Sequence, residues 1–158
     1  MADSFNPDIR RAQSADAPLL ARLRYEFRAS VMAVEETEAA FLDRCIPWMT
    51  ARLNGDSTWR ARVAELDGVA CGAVWLQLIE KLPNPAIESE RHGYISSLYV
   101  REAFRGHGLG SALLTTMLLE CDAQDVDVVM LWPTPDSRRL YERHGFAVRE
   151  DVLCRRRT

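Results

Sequence analysis

Tyr99-Val100-Arg101-Glu102-Ala103-Phe104-Arg105-Gly106-His107-Gly108-Leu109-Gly110-Ser111 decides how this 158-residue chain is read. The apolar run before it, Tyr94 to Val100, is strand-like. After it Leu109, Ala112, Leu113, Thr116, Met117 and Cys121 recur at helical spacing. Glycines between a strand and a helix N-terminus let backbone N–H groups close around an anion, where the helix dipole also favours negative charge. Three glycines in five residues cost too much chain entropy for an ordinary connector. The expected guest is a diphosphate.

The rest of the chain supplies a sheet with helical cover. Ile9 to Gln13 is a short first strand. A helix starts near Asp16-Ala17 with Pro18 in its first turn and an apolar stripe of Leu20, Leu23, Phe27 and Val31. A second helical pattern, Phe41, Leu42, Cys45, Ile46, Met49 and Leu53, contains Pro47, where a kink or break is expected, and ends at Asn54-Gly55. Trp59 to Leu66 alternates, Asp67-Gly68 is a hairpin signal, and Val69 to Glu80 returns as a long apolar strand. Pro83, Asn84 and Pro85 force a loop. Beyond the glycine-rich helix, Val126 to Trp132 is nearly continuous and β-branched, as in a strand buried on both faces. Thr134-Pro135-Asp136 has the pattern of a helix cap, Gly145 closes that helix, and Phe146 to Leu153 can form a last strand. The expected order is β-α-α-β-β-β-α-β-α-β, an α/β mixed sheet covered by helices.

Composition limits the partners. Hydrophobic residues are 47% and charged residues 27%, ordinary for a globular domain, and residues 1–158 read as one domain. A net charge of −3 gives no reason to expect nucleic acid or an anionic membrane. The first twenty residues carry Asp3 and Asp8 and no apolar segment, so a secretory signal is not expected. Cys45, Cys71, Cys121 and Cys154 form no C-x-x-C pair, which fits a reducing cytoplasm, and with His92, His107 and His144 they make no metal site.

Three readings of the glycine loop compete. A P-loop requires a lysine that the loop lacks. A dinucleotide fingerprint counted from Gly106 meets Ser111 where its third glycine belongs, and only about fifty residues follow, too few for the rest of that fold. The third pattern is arginine or glutamine, two residues, glycine, one residue, then glycine or alanine, and Arg105-Gly106-His107-Gly108-Leu109-Gly110 fits it. A second motif, Leu140-Tyr141-Glu142-Arg143-His144-Gly145-Phe146, follows at the matching distance. With these two motifs and this order of elements, the chain resembles the GCN5-related N-acetyltransferase (GNAT) family along nearly its whole length.

That resemblance implies acetyl-CoA as co-substrate, in a cleft where two parallel strands splay apart. Leu98, Tyr99 and Val100 would offer main-chain hydrogen bonds to the pantetheine arm, as an added strand does. Arg105, Gly106, His107, Gly108, Leu109, Gly110 and Ser111 would hold the pyrophosphate. Tyr141 would be the general acid toward the departing thiolate, and a main-chain N–H near Tyr99 would serve the oxyanion. The acids that some members place on the strands flanking the loop are replaced here by Tyr94 and Val129. Glu80, Glu35 and Glu36 remain as candidate bases, alongside a water relay. Thr134 stands where many members have asparagine.

The expected acceptor is a small-molecule primary amine attacking directly in a ternary complex, with Tyr25, Glu26, Trp48, Trp75 and Trp132 as candidate pocket residues. Glu26 or Glu80 in that cleft would suit a cationic amine. A protein N-terminus or lysine is the enzyme alternative, and a non-catalytic acyl-CoA sensor is the alternative from another class. A transferase acting on aminoacyl-tRNA fits the acidic balance poorly. A homodimer would follow the family's habit.

Overall fold

The computed structural model describes residues 7–158, so Asp3 lies outside the described residues. Its order is β1 Asp8–Arg11, α1 Ala17–Val31, α2 Glu38–Arg52, β2 Trp59–Leu66, β3 Val69–Glu80, β4 Arg91–Val100, α3 Leu109–Ala123, β5 Val128–Met130 and α4 Arg138–Arg143. The five strands form one sheet in sequence order. β1 to β4 are an antiparallel meander, and β5 joins β4 in parallel after the α3 crossover. No helix among the described residues is long and apolar enough to cross a membrane.

Strand alternation divides the core in two. Cys71, Val74, Leu76 and Leu78 of β3 face Leu109, Leu113, Leu114 and Met117 of α3, with Tyr141 of α4 in the same cluster. Ala73 and Trp75 face Leu20, Ala21 and Leu23 of α1 and Met49 of α2. Charge also fastens the layers. Arg62 of β2 donates to Glu120 of α3 (2.6 Å), and Arg10 of β1 bridges Asp16 ahead of α1 (2.7 Å) and Glu65 of β2 (2.8 Å). The Arg10 guanidinium holds the Asp16 carboxyl below its ordinary range and leaves it no part in capping α1.

The hairpin signal holds, with Asp67 (φ 50) and Gly68 (φ 77) both left-handed as a two-residue turn requires. Two expected strands fall short, and at Pro47, where a kink or a break is expected, no break occurs. Pro47 does not break α2, which runs from Glu38 to Arg52, because Met49 and Trp48 on that turn pack against the sheet side and outweigh one lost hydrogen bond. The strand expected over Val126 to Trp132 shrinks to three half-buried residues at the sheet edge. The last strand, Phe146 to Leu153, does not form. Val148, Val152 and Leu153 are exposed and Arg149 folds locally onto Asp151, so no ladder recruits them.

β4 carries an irregularity that matters for the site. Ala73 pairs with Tyr99 but Trp75 pairs with Ser96, so β4 has one residue too many, and Ser97 takes a left-handed φ of 53. β3 meets this stretch at very close range. A Cβ on Gly72 would lie 2.6 Å from the Tyr99 carbonyl oxygen and 3.2 Å from the Val100 Cα, both backbone atoms. Gly72→Ala is expected to destabilise the fold by about 1–3 kcal/mol through overpacking. The measurement is a urea midpoint that falls at constant m-value.

Candidate active site

β4 and β5 pair only at His92–Val128, Gly93–Val129 and Tyr94–Met130. Beyond Tyr94, β4 continues six residues to Val100 with β3 on one side and, among the described residues, no strand on the other. The Tyr94 and Trp132 rings meet edge to face at 5.2 Å at the point of parting. On the side away from β3 the main chain of Leu98, Tyr99 and Val100 therefore has no ladder partner among the described residues, which leaves a slot between the parting strands. Leu98 and Val100 turn their side chains to the α3 cluster, and Tyr99 turns its ring toward α1 and α2, 5.5 Å from Phe27.

The glycine loop follows directly on this end of β4. Arg105, Gly106, His107 and Gly108 are exposed, Leu109 is buried, and Gly110 and Ser111 are half-buried. Gly106 (φ 83) and Gly108 (φ 77) are left-handed, and no atom lies within 4 Å of where either Cβ would be. The turn itself requires these glycines, and the space above them is open. Gly108 is the N-cap of α3 and has no side-chain cap. The first helical bond runs from Ala112 N–H to Gly108 O (3.0 Å), so the N–H groups of Leu109, Gly110 and Ser111 have no helical acceptor. Aligned amides at the positive end of a fifteen-residue helix fit a phosphate pair. Arg105 donates from Nε to the Val100 carbonyl (2.9 Å) and lies 5.7 Å from the Tyr99 ring, so it ties the loop to the end of β4.

α4 packs across this helix start, with Leu140 Cδ2 3.4 Å from the Cβ position of Gly110. Tyr141 is buried (8% exposed) with its ring edge to face on Phe146 at 5.7 Å. Its hydroxyl makes no hydrogen bond with any described residue, yet it is not among the polar atoms sealed from solvent. Burial pushes its pKa up to about 12. Sequence reasoning missed His144. Its Nδ1–H donates to the Leu140 carbonyl (2.9 Å), which leaves Nε2 to accept from the hydroxyls of Ser111 (3.0 Å) and Thr115 (3.3 Å). One imidazole thus joins the tyrosine helix to the first turn of α3. Its place in the late motif, just before Gly145-Phe146, was the available signal. The expected cap at Thr134 gives way to a turn, with Ser137 Oγ donating to Thr134 O (3.0 Å) and α4 beginning at Arg138.

The acids expected to meet an amine are mostly engaged elsewhere. Glu26 forms a bidentate pair with Arg101 (2.9 Å in each arm), binding α1 to the end of β4. Glu36 is held by Arg44, which lowers its pKa and makes it a poorer base. Glu80 pairs in register with Arg91, eight residues from Tyr99 along β4 and so about 27 Å away. Glu35 stays exposed without a partner among the described residues. Trp75 is core, in a cluster with Trp48 and Trp59, whereas Trp132 is 61% exposed at the strand split. Tyr25 donates to the Glu36 carbonyl (3.0 Å) and lines a cleft of about 410 Å³ between the end of α1 and the start of α2.

Comparison with known proteins bears on this arrangement. The model of the acetyltransferase (GNAT) family matches residues 20–146. Over 97 residues the chain is 34% identical to a mycothiol acetyltransferase of Streptomyces avermitilis, a stretch that is 60% of this chain and 29% of that protein. The chain thus spans less than a third of that relative. A GCN5-related N-acetyltransferase from Ralstonia eutropha superposes with a TM-score of 0.80 at 26% identity, covering 95% of this chain and 98% of that one. A predicted acetyltransferase from Clostridium acetobutylicum, solved with acetyl-CoA, shares the fold at a TM-score of 0.81 and 17% identity, covering 96% of each chain. With its split sheet and amide-lined loop, the chain belongs to the acetyltransferase (GNAT) family.

Proposed function

We propose that residues 1–158 form one acetyltransferase domain that moves the acetyl group of acetyl-CoA to the primary amine of a small molecule. The observation that carries this reading is the slot left where β4 leaves β5, closed by the unpaired amides at the start of α3. Leu98, Tyr99 and Val100 bind the pantetheine arm, and the amides of Gly106 to Ser111 hold the pyrophosphate. Family membership and a relative bearing acetyl-CoA support that placement.

The acceptor nitrogen forms a bond to the thioester carbonyl carbon, the C–S bond breaks, and the thiolate takes a proton. The amine's own proton leaves to water. Tyr141 is the proton donor that this chain offers. With its pKa near 12 and a thiol near 8.5, full transfer ahead of cleavage would be uphill by about 5 kcal/mol. Tyr141 therefore acts by hydrogen-bonding the sulfur as charge develops, and its proton moves with C–S cleavage. Burial keeps the phenol protonated across the whole working range.

Tyr141→Phe keeps the ring packing on Phe146 and removes only the proton. It is expected to lower kcat by about 10²- to 10⁴-fold in a thiol-release assay, with acetyl-CoA affinity retained. A sensor that only binds acyl-CoA would show no turnover in the parent protein. The group titrates near 12, so the rate should not fall through Tyr141 ionisation below about pH 11; a tyrosine-dependent loss near pH 9 would contradict its burial.

Ser111→Glu places a carboxylate among the α3 amides and is expected to abolish acetyl-CoA binding in calorimetry while the circular dichroism spectrum is kept. His144→Ala loses the contacts to Ser111 and Thr115 and is expected to cost about 1 kcal/mol of stability, read in urea, and to raise the KM for acetyl-CoA.

A further inference from the structure

The half-buried arginines of this chain are matched to partners, with one exception. Arg10, Arg60, Arg62 and Arg101 each face a carboxylate. Arg52 donates to the Trp48 carbonyl (3.2 Å) and lies 4.0 Å over its ring. Arg24 is half-buried on α1 and has no hydrogen bond or ion pair with any described residue. Arg28, one turn further on the same face, meets no carboxylate either. It donates only to the Met32 sulfur (2.9 Å) and lies 5.6 Å from the Phe27 ring.

The position of this pair relates it to the site. Phe27, between them in sequence, packs on Tyr99 of the proposed pantetheine strand. The neighbours that bear on the Arg24 charge are the Arg28 guanidinium, the Tyr94 phenol and the Cys45 thiol, and none of them is a carboxylate. Tyr94 marks the point where β4 and β5 part, and Arg28 lines the 410 Å³ cleft between α1 and α2. Desolvation, then the like charge of Arg28, lowers the Arg24 pKa from its ordinary value. A desolvated guanidinium with no counter-ion is costly, and the cost is relieved when a ligand brings the anion. Across the cleft Glu36 is spent on Arg44, while exposed Glu35 has no partner among the described residues and is free to face an ammonium.

We propose that the acceptor carries an anionic group, a carboxylate or a phosphate, as well as its amine, and that Arg24 with Arg28 binds that group and so sets acceptor specificity. This rests on the acetyltransferase reading above. It replaces the expectation of a purely cationic amine, whose acids, Glu26 and Glu80, are respectively paired with Arg101 and remote from Tyr99.

The test measures thiol release with acetyl-CoA on matched amines: amino acids against their carboxamides, and glucosamine 6-phosphate against glucosamine. The anionic member of at least one pair should have a kcat/KM at least tenfold above its neutral partner, and the pair that responds tells carboxylate from phosphate. In Arg24→Gln that ratio should fall at least tenfold, chiefly through KM, with partial recovery in Arg24→Lys. Equal or better turnover of the neutral members overturns the proposal, as does a panel with no anionic acceptor accepted, or an unchanged ratio in Arg24→Gln. If Arg24→Gln does not fold, Arg28→Gln and the parent preference decide the matter. Calorimetry with acetyl-CoA on the same preparations separates the two ideas. No binding by the parent protein refutes the acetyltransferase reading, whereas binding with a neutral preference refutes only the anionic acceptor.

Discussion

Everything at the site depends on a parallel strand pair that stops after three residues. β4 and β5 hold register from His92–Val128 to Tyr94–Met130 and then separate. The extra residue at Ser97 strengthens the local twist and carries the end of β4 along β3 and away from β5. Gly72 makes this course feasible, because only a residue without Cβ lets β3 pass so near the Tyr99 carbonyl. Backbone groups that a complete sheet would consume are left bordering a slot. α3 then begins at Leu109, nine residues past the end of β4, so one short stretch of chain supplies both the strand end left unpaired on one side and the positive helix end.

Charge pairing accounts for much of what surrounds that space. Glu26 and Arg101 lock α1 to the end of β4, Arg62 and Glu120 lock α3 to β2, and Arg105 closes the glycine loop onto Val100. These groups act as fasteners, which removes several charged residues from the roster of those that could meet an acceptor. In the proposed reaction the chemistry falls to a buried phenol held neutral by desolvation and to main-chain amides. His144 links the two, since its ring nitrogens reach both the tyrosine helix and the first turn of α3. The buried phenol and the glycine-rich helix start are thereby kept in a common frame.

The glycine loop, the late tyrosine motif, the Asp67-Gly68 hairpin and the order of elements through α4 were legible because each is a local signal. Helical and strand periodicity, and the need for a left-handed backbone at Gly106 and Gly108, are written into neighbouring residues. The acid candidates were not legible in this way. Whether Glu26 faces a cleft or an arginine depends on Arg101, seventy-five positions away. Pro47 likewise reads as a helix break until the tryptophans of α2, β2 and β3 are seen packed together.

By itself, then, the amino-acid order determined that an α/β sheet would carry a glycine turn between a strand and a helix N-terminus, since turn geometry and alternation are short-range properties of the chain. Tertiary structure alone decided how far β5 accompanies β4, why Phe146 to Leu153 adds no strand, and which charges stay unmatched. Those outcomes hang on contacts between residues distant in sequence, where packing and desolvation outweigh local preference.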